Sequence, residues 1–135
     1  MVVVDASVAG AWVLPDETSL RADAILDRIG RDDDPMAVPA LWIYEVSNLL
    51  ISAERRKRID EGQRREALRL INGLPHRIHD HSTPLSRERL LLFATRFKIS
   101  AYDAAYLELA DRLQAPLCTL DERLAAAARE LGCGD

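Results

Sequence analysis

The sequence lacks most of what would tie it to a secreted, zinc-binding or membrane protein. Cysteine is nearly absent: Cys118 and Cys133 stand alone among 135 residues. Two thiols make no disulfide framework, and neither lies in a CxxC or Cys/His spacing that would hold zinc. Cys118 follows Ala115-Pro116-Leu117 in an apolar run and reads as a core thiol. A reducing cytoplasm is the simplest setting. No segment reaches the roughly 18 apolar residues of a membrane helix. Val2-Val3-Val4 is too short for a signal sequence and is broken by Asp5. Repeats, linkers and low-complexity tracts are missing too. A soluble, cytoplasmic protein forming one domain over residues 1–135 is therefore expected.

Positive charge is also short. The chain carries 22 acidic and 18 basic residues, a net charge of -4. That excludes a nucleic-acid binder working through a bulk basic field. Any grip on RNA must come from a local basic patch, a partner, or cations that reverse the sign of an acidic pocket.

What is present alternates between strand and helix. Met1–Val4, Met36–Val38, His76–His81 and Pro116–Leu120 read as strands, the first being rich in β-branched residues. Helices are expected over Ala6–Leu14, Leu20–Ile29 (with Gly30 as its C-cap) and from Pro39 to about Lys57. Four more follow, over Asp60–Ile71, Ser86–Phe97, Tyr102–Leu113 and Asp121–Leu131. A polar turn is expected at 31–35. The third helix has an apolar stripe of Trp42, Val46, Leu49, Leu50 and Ala53. This order predicts an α/β fold: a parallel sheet of four to five strands, covered on both faces by about seven helices. Ligands of such sheets bind at the carboxyl ends of the strands.

Four acids belong near that rim. Asp5 follows the first strand and Asp121 the last. Glu45 and Asp103 lie in the opening turns of their helices. Each has a plain alternative. Asp5 and Asp121 suit helix N-caps, and Ser100-Ala101-Tyr102-Asp103 fits a loose capping box. Glu45 sits on or near the apolar stripe with no Lys or Arg within four residues, so a distant arginine is its alternative partner. Two carboxylates about 4 Å apart repel by roughly 4 kcal/mol at an effective dielectric of about 20. Four together take up protons or bind a divalent cation. Oxygen donors without His or Cys suit Mg²⁺ or Mn²⁺, and such a site suits phosphodiester hydrolysis.

Other features carry two readings. Arg55-Arg56-Lys57-Arg58, with Arg64, Arg65 and Arg69, forms a basic cluster; Arg55, Arg56 and Arg58 are candidate RNA contacts, or a solvated helix end. His76, His79 and His81 read as surface or edge-strand residues rather than metal ligands. Trp12, Trp42, Phe93, Phe97, Tyr102 and Tyr106 follow helical spacing and are assigned to core or dimer contacts rather than base stacking.

Four blocks then carry a family resemblance. Val3-Val4-Asp5-Ala6-Ser7 with Ala11-Trp12 and Pro15-Asp16-Glu17 is the first. Val38-Pro39 leading to Glu45-Val46-Ser47-Asn48 is the second. Tyr102-Asp103-Ala104-Ala105-Tyr106-Leu107 with Leu109-Ala110 is the third, and Thr119-Leu120-Asp121 with Leu124-Ala125 the fourth. In this order, over nearly the whole chain, they resemble the PIN-domain ribonucleases of the VapC toxin family. The resemblance implies a three-layer α/β/α fold with five parallel strands and RNA cleavage with Mg²⁺ or Mn²⁺. It also implies a homodimer and inhibition by a VapB-type antitoxin. Position by position, it makes Asp5, Glu45, Asp103 and Asp121 the acidic quartet. Thr119 and Ser7 become the accompanying hydroxyls, and Asn48 a supporting polar group. Little chain follows Cys133, so the fifth strand is in doubt. Two competitors remain. One is a PIN-like module that binds RNA or a partner without cutting. The other is a Mg-dependent phosphoaspartyl protein, disfavoured because Ser7 stands where such phosphatases need a second Asp, and the only lysines are Lys57 and Lys98.

Overall fold

The computed structural model describes residues 1–32 and 35–135. Its elements run β1 (Val3–Val4), α1 (Ala6–Val13), α2 (Leu20–Asp32), β2 (Met36–Pro39), α3 (Leu41–Arg55) and α4 (Glu61–Gly73). They continue with β3 (His76–His79), α5 (Pro84–Phe97), α6 (Ala101–Leu113), β4 (Leu117–Cys118) and α7 (Glu122–Leu131). The four strands form one sheet in the order β3-β2-β1-β4, and every pairing is parallel. Helices α1 to α4 pack on one another, while α6 joins α5 and α7 and lies against β1, β2 and β4. Among the described residues this is the expected three-layer arrangement of seven helices around a parallel sheet. Val3, Val4, Ala37, Val38 and Cys118 have no exposed surface, as strands covered on both faces require.

Local signals explain the boundaries. Ser19 caps α2 through the Ala22 amide. Asp60 and Gln63 form a reciprocal capping box on α4. Thr83 caps α5, which takes a proline in its first turn. Gly132, at φ 81°, ends α7 in the left-handed conformation that favours glycine. In α3, Trp42, Val46, Leu50 and Ala53 are buried, with Leu49 half-buried beside them.

Several expectations need correction. Gly30 does not end α2, which continues to Asp32; the turn expected at 31–35 falls partly on Asp33 and Asp34, outside the described residues. Pro39 does not open α3 but ends β2, paired with His79. β3 stops at His79, so His81 lies in the following loop. The last strand is also shorter than expected. After Cys118 the Thr119 hydroxyl turns to Asp5 and the Leu120 amide to Ser7, so the chain leaves the ladder. A fifth strand is reduced to one parallel bridge, Leu117 to Gly134. Gly134 is required there, because a Cβ would stand 2.6 Å from Cγ of Arg129.

Leu117 pairs with Gly134, so Cys118 and Cys133 flank that pair on the same face, staggered by two positions along the strands. Both are free and buried. Burial pushes the Cys118 thiol up to about 12, which leaves it a packing residue at neutral pH.

Candidate active site

Because all four strands run the same way, their carboxyl ends share one rim. Asp5 leaves β1 there and caps α1, accepting the amides of Ser7 and Val8 at 3.1 and 3.3 Å. Asp121 follows the end of β4 and caps α7 through the Leu124 amide at 2.8 Å. Glu45 lies in the second turn of α3. Asp103 lies in the first turn of α6, which Ser100 caps through the Asp103 amide. Capping and convergence therefore coexist: the fixed backbone of a helix start aims Asp5 and Asp121. All four line one hollow of about 300 Å³, joined by Ser7, Asn48 and Tyr106.

The surroundings of Asp5 are the most constrained. Ser7 donates from its hydroxyl to Asp5 Oδ1 at 2.5 Å, and Thr119 donates to Oδ2 at 2.5 Å. Each hydroxyl also accepts a backbone amide from the segment after β4: Leu120 N to Ser7 Oγ at 2.9 Å, Asp121 N to Thr119 Oγ1 at 3.0 Å. Two side chains thus grip both oxygens of Asp5 and stitch the end of β1 to the start of α7. Thr119 is fully buried.

Sequence reasoning missed Tyr106 as a site residue. It is buried, as a core aromatic should be, but its hydroxyl donates to Glu45 Oε1 at 2.5 Å. The usable signal was its spacing: three residues after Asp103, it shares that side of α6. Of the two places expected for Tyr102, core or dimer contact, the core is excluded: it is 67% exposed.

Electrostatics mark the hollow as starved of positive charge. Burial raises the pKa of Asp5 above the ordinary carboxylate value, against the lowering effect of its four hydrogen bonds. Burial likewise raises Glu45, with the Tyr106 hydrogen bond opposing it and the charges of Asp103 and Asp5 adding to it. Asp103 is raised by burial and then by Asp121, with Arg123 pulling the other way. Among the described residues, none of the four carboxylates has a Lys, Arg or His within 4.0 Å. The arginine partner expected as an alternative for Glu45 is Tyr106 instead.

This donor set suits a hard divalent cation in kind: oxygen ligands only, two fixed by helix starts, none neutralised by an ion pair. Among the described residues no three His, Cys, Asp or Glu side chains stand assembled around one point, so the hollow presents donors rather than a finished cage.

A sign follows for pH. A raised carboxylate pKa means the folded state prefers the protonated form. The associated stability is present at low pH and lost as pH rises through the raised value. In a chelating buffer Glu45→Gln is therefore expected to melt above the parent protein at neutral pH. The two midpoints should meet near pH 3.5, below the usual carboxylate range. Thermal unfolding against pH reads this directly, and a variant that melts lower at neutral pH would contradict it.

The remaining candidates lie elsewhere. Arg58 is held by Asp16 at 2.6 Å and Glu17 at 3.0 Å. Arg64 is bound to Glu54, and Arg69 to Glu66 at 2.6 Å. Arg55 ends α3, ten residues beyond Glu45, or about 15 Å along the helix. His76 stacks near Trp42, with ring centroids 5.5 Å apart. His81 places Nε2 2.9 Å from Glu108, a fully buried carboxylate that sequence reasoning also passed over.

With this geometry in place, comparison with known proteins is unambiguous about class. The PIN domain model matches residues 2–130, and the chain belongs to the PIN-domain family. Ribonuclease VapC3 of Pyrobaculum aerophilum is similar to it, 29% identical over 123 residues that cover 91% of each chain.

Proposed function

We propose that this chain is a Mg²⁺- or Mn²⁺-dependent endoribonuclease, built as one PIN unit over residues 1–135. We propose further that it is a cytoplasmic, homodimeric toxin held in check by a VapB-type antitoxin. One observation carries the catalytic reading: four carboxylates from four separate elements line a single hollow at the carboxyl rim of a parallel sheet. The VapC3 likeness supports RNA as substrate and an antitoxin as partner. An apolar groove of about 560 Å³ between α1, α2 and α4 supports the partner as well. Trp12, Leu14, Ala67 and Leu70 floor it and Asp23, Asp60 and Glu66 border it, so it suits one apolar helix face with basic flanks.

Asp5, Asp103, Glu45 and Asp121 would hold the cation. When bound, it supplies activation of water and neutralisation of charge on the phosphate oxygens. The chain's own residues do the positioning. Ser7 and Thr119 fix the direction of both Asp5 oxygens. Tyr106 fixes Glu45. Asn48, exposed on α3 one turn after Glu45, offers an amide to substrate or water at the edge of the hollow.

The test is cleavage of a structured RNA by protein purified free of host nucleases. Activity should need Mg²⁺ or Mn²⁺, vanish in chelator and return when the ion is restored. Undiminished cleavage in chelator, or none with saturating ion, would sink the proposal. Tyr106→Phe is expected to raise the Mn²⁺ concentration needed for half-maximal cleavage by about tenfold to a hundredfold. The rate at saturating Mn²⁺ should fall less. An unchanged Mn²⁺ requirement would leave Tyr106 as packing alone.

A further inference from the structure

The cations that could meet a polynucleotide near the hollow are not those of the Arg55–Arg58 cluster. On the far side of Asp121 lies a second depression of about 380 Å³, lined by Arg21, Leu120, Asp121, Glu122, Ala125 and Arg129. Asp121 lines both cavities, so they share a wall. Arg21 is in the first turn of α2 and Arg129 near the end of α7.

These two arginines differ from most others in the molecule. Arg28, Arg58, Arg64, Arg65, Arg69, Arg89, Arg96 and Arg112 each hold a carboxylate at 3.1 Å or closer. Among the described residues Arg21 reaches only Asp135, at 3.9 Å, and its side chain is 46% exposed. Arg129 has no carboxylate within 4.0 Å among the described residues. Its stem passes where a side chain at position 134 would stand, the built Cβ falling 2.6 Å from Cγ of Arg129. A guanidinium without a carboxylate partner is suited to an external anion. The opposing charges are Asp121, Glu122 and Asp135, the last of them held closer by Arg28, at 3.0 Å. Asp121 is committed to the α7 cap and to the acidic hollow, where its field reaches Asp103. That leaves Glu122, and the share of Asp135 that Arg28 does not take, against two arginines.

We propose that this depression seats a backbone phosphate of the substrate strand next to the bond cut at the acidic hollow, with Arg21 and Arg129 as its grips. The inference rests on the nuclease reading and adds the path of the strand: over the acids, across Asp121, between α2 and α7. Phosphate contacts of this kind set register and salt dependence rather than base choice.

The experiment measures binding of a fluorescently labelled single-stranded RNA by anisotropy, across a salt series, in an Asp103→Asn background that prevents cutting. Arg21→Gln with Arg129→Gln keeps both stems. It is expected to weaken binding about tenfold at 0.1 M salt and to flatten the plot of log affinity against log salt by about 0.7, the share of one single-strand phosphate. Arg21→Lys with Arg129→Lys should restore the slope, and Arg55→Gln with Arg56→Gln should leave it unchanged. Glu122→Gln should tighten binding about twofold to threefold. An unaltered slope in the Arg21/Arg129 pair overturns the phosphate seat, as does a slope that falls only in the Arg55/Arg56 pair. If the wild-type chain still cuts RNA in that case, the nuclease reading survives. If the parent protein neither binds nor cuts RNA, both are lost.

Discussion

Asp103→Asn is expected to lose RNA cleavage by at least about a hundredfold while folding as well as the parent protein. Asparagine keeps the shape and the Ser100 cap, which acts on the backbone amide rather than the side chain. What disappears is one negative charge in a hollow where burial and Asp121 already hold the Asp103 pKa up. Removing it relieves repulsion, so in chelator the variant should unfold at the parent temperature or a little above. Loss of activity with gain of stability separates a ligand role from a structural one. Full cleavage by the variant, in a nuclease-free preparation, would refute the assigned role; so would loss of cleavage accompanied by a collapse of the melting temperature.

The largest effect on stability is expected from Glu108→Ala, about 3 kcal/mol or roughly a 10 °C drop in melting temperature. Glu108 has no exposed surface, yet it sits between Leu107 and Leu109 in the middle of α6. Its oxygens lie 3.1 and 3.2 Å from Nε of Arg112, 2.9 Å from Nε2 of His81 and 3.7 Å from Nε of Arg89. Arg89 also binds Asp111. The group fastens α5 and the loop after β3 onto the helix that carries Asp103 and Tyr106. Deleting the carboxylate leaves a void and three donors facing it. Arg89 and Arg112 are each about a third exposed and recover some hydration, which keeps the expected cost at the low end for a broken buried pair. Glu108→Gln should cost less, because the amide oxygen still accepts one of those donors. A melting shift under 2 °C for the alanine variant would show that the network contributes little.

The order of elements was legible because each helix announces itself through period and cap: Trp42, Val46, Leu50 and Ala53 in α3, Asp60 with Gln63 ahead of α4, Ser100 ahead of α6. Boundaries were less so. Gly30 and Gly132 look alike in sequence, but only Gly132 adopts positive φ; α2 carries on past Gly30 in right-handed helix. Pro39 fits a helix start by its fixed φ and fits a strand end equally well. The four acids of the hollow were legible because three of them immediately follow or open an element, where strand polarity alone aligns them. Tyr106 and Glu108 were not, since their roles depend on Glu45, 61 positions away, and on His81 and Arg89 from other segments. The pairing that consumes Arg58 was hidden for the same reason: Asp16 and Glu17 lie about 40 residues upstream.

The grip on Asp5 joins residues 114 positions apart, and the Leu120 amide meets Ser7 across 113. Contacts of such sequence separation form late, after local helices. During translation the N-terminal strand and its aspartate emerge long before the threonine that orients them. A nascent chain therefore carries a half-built centre until synthesis has passed the fourth strand.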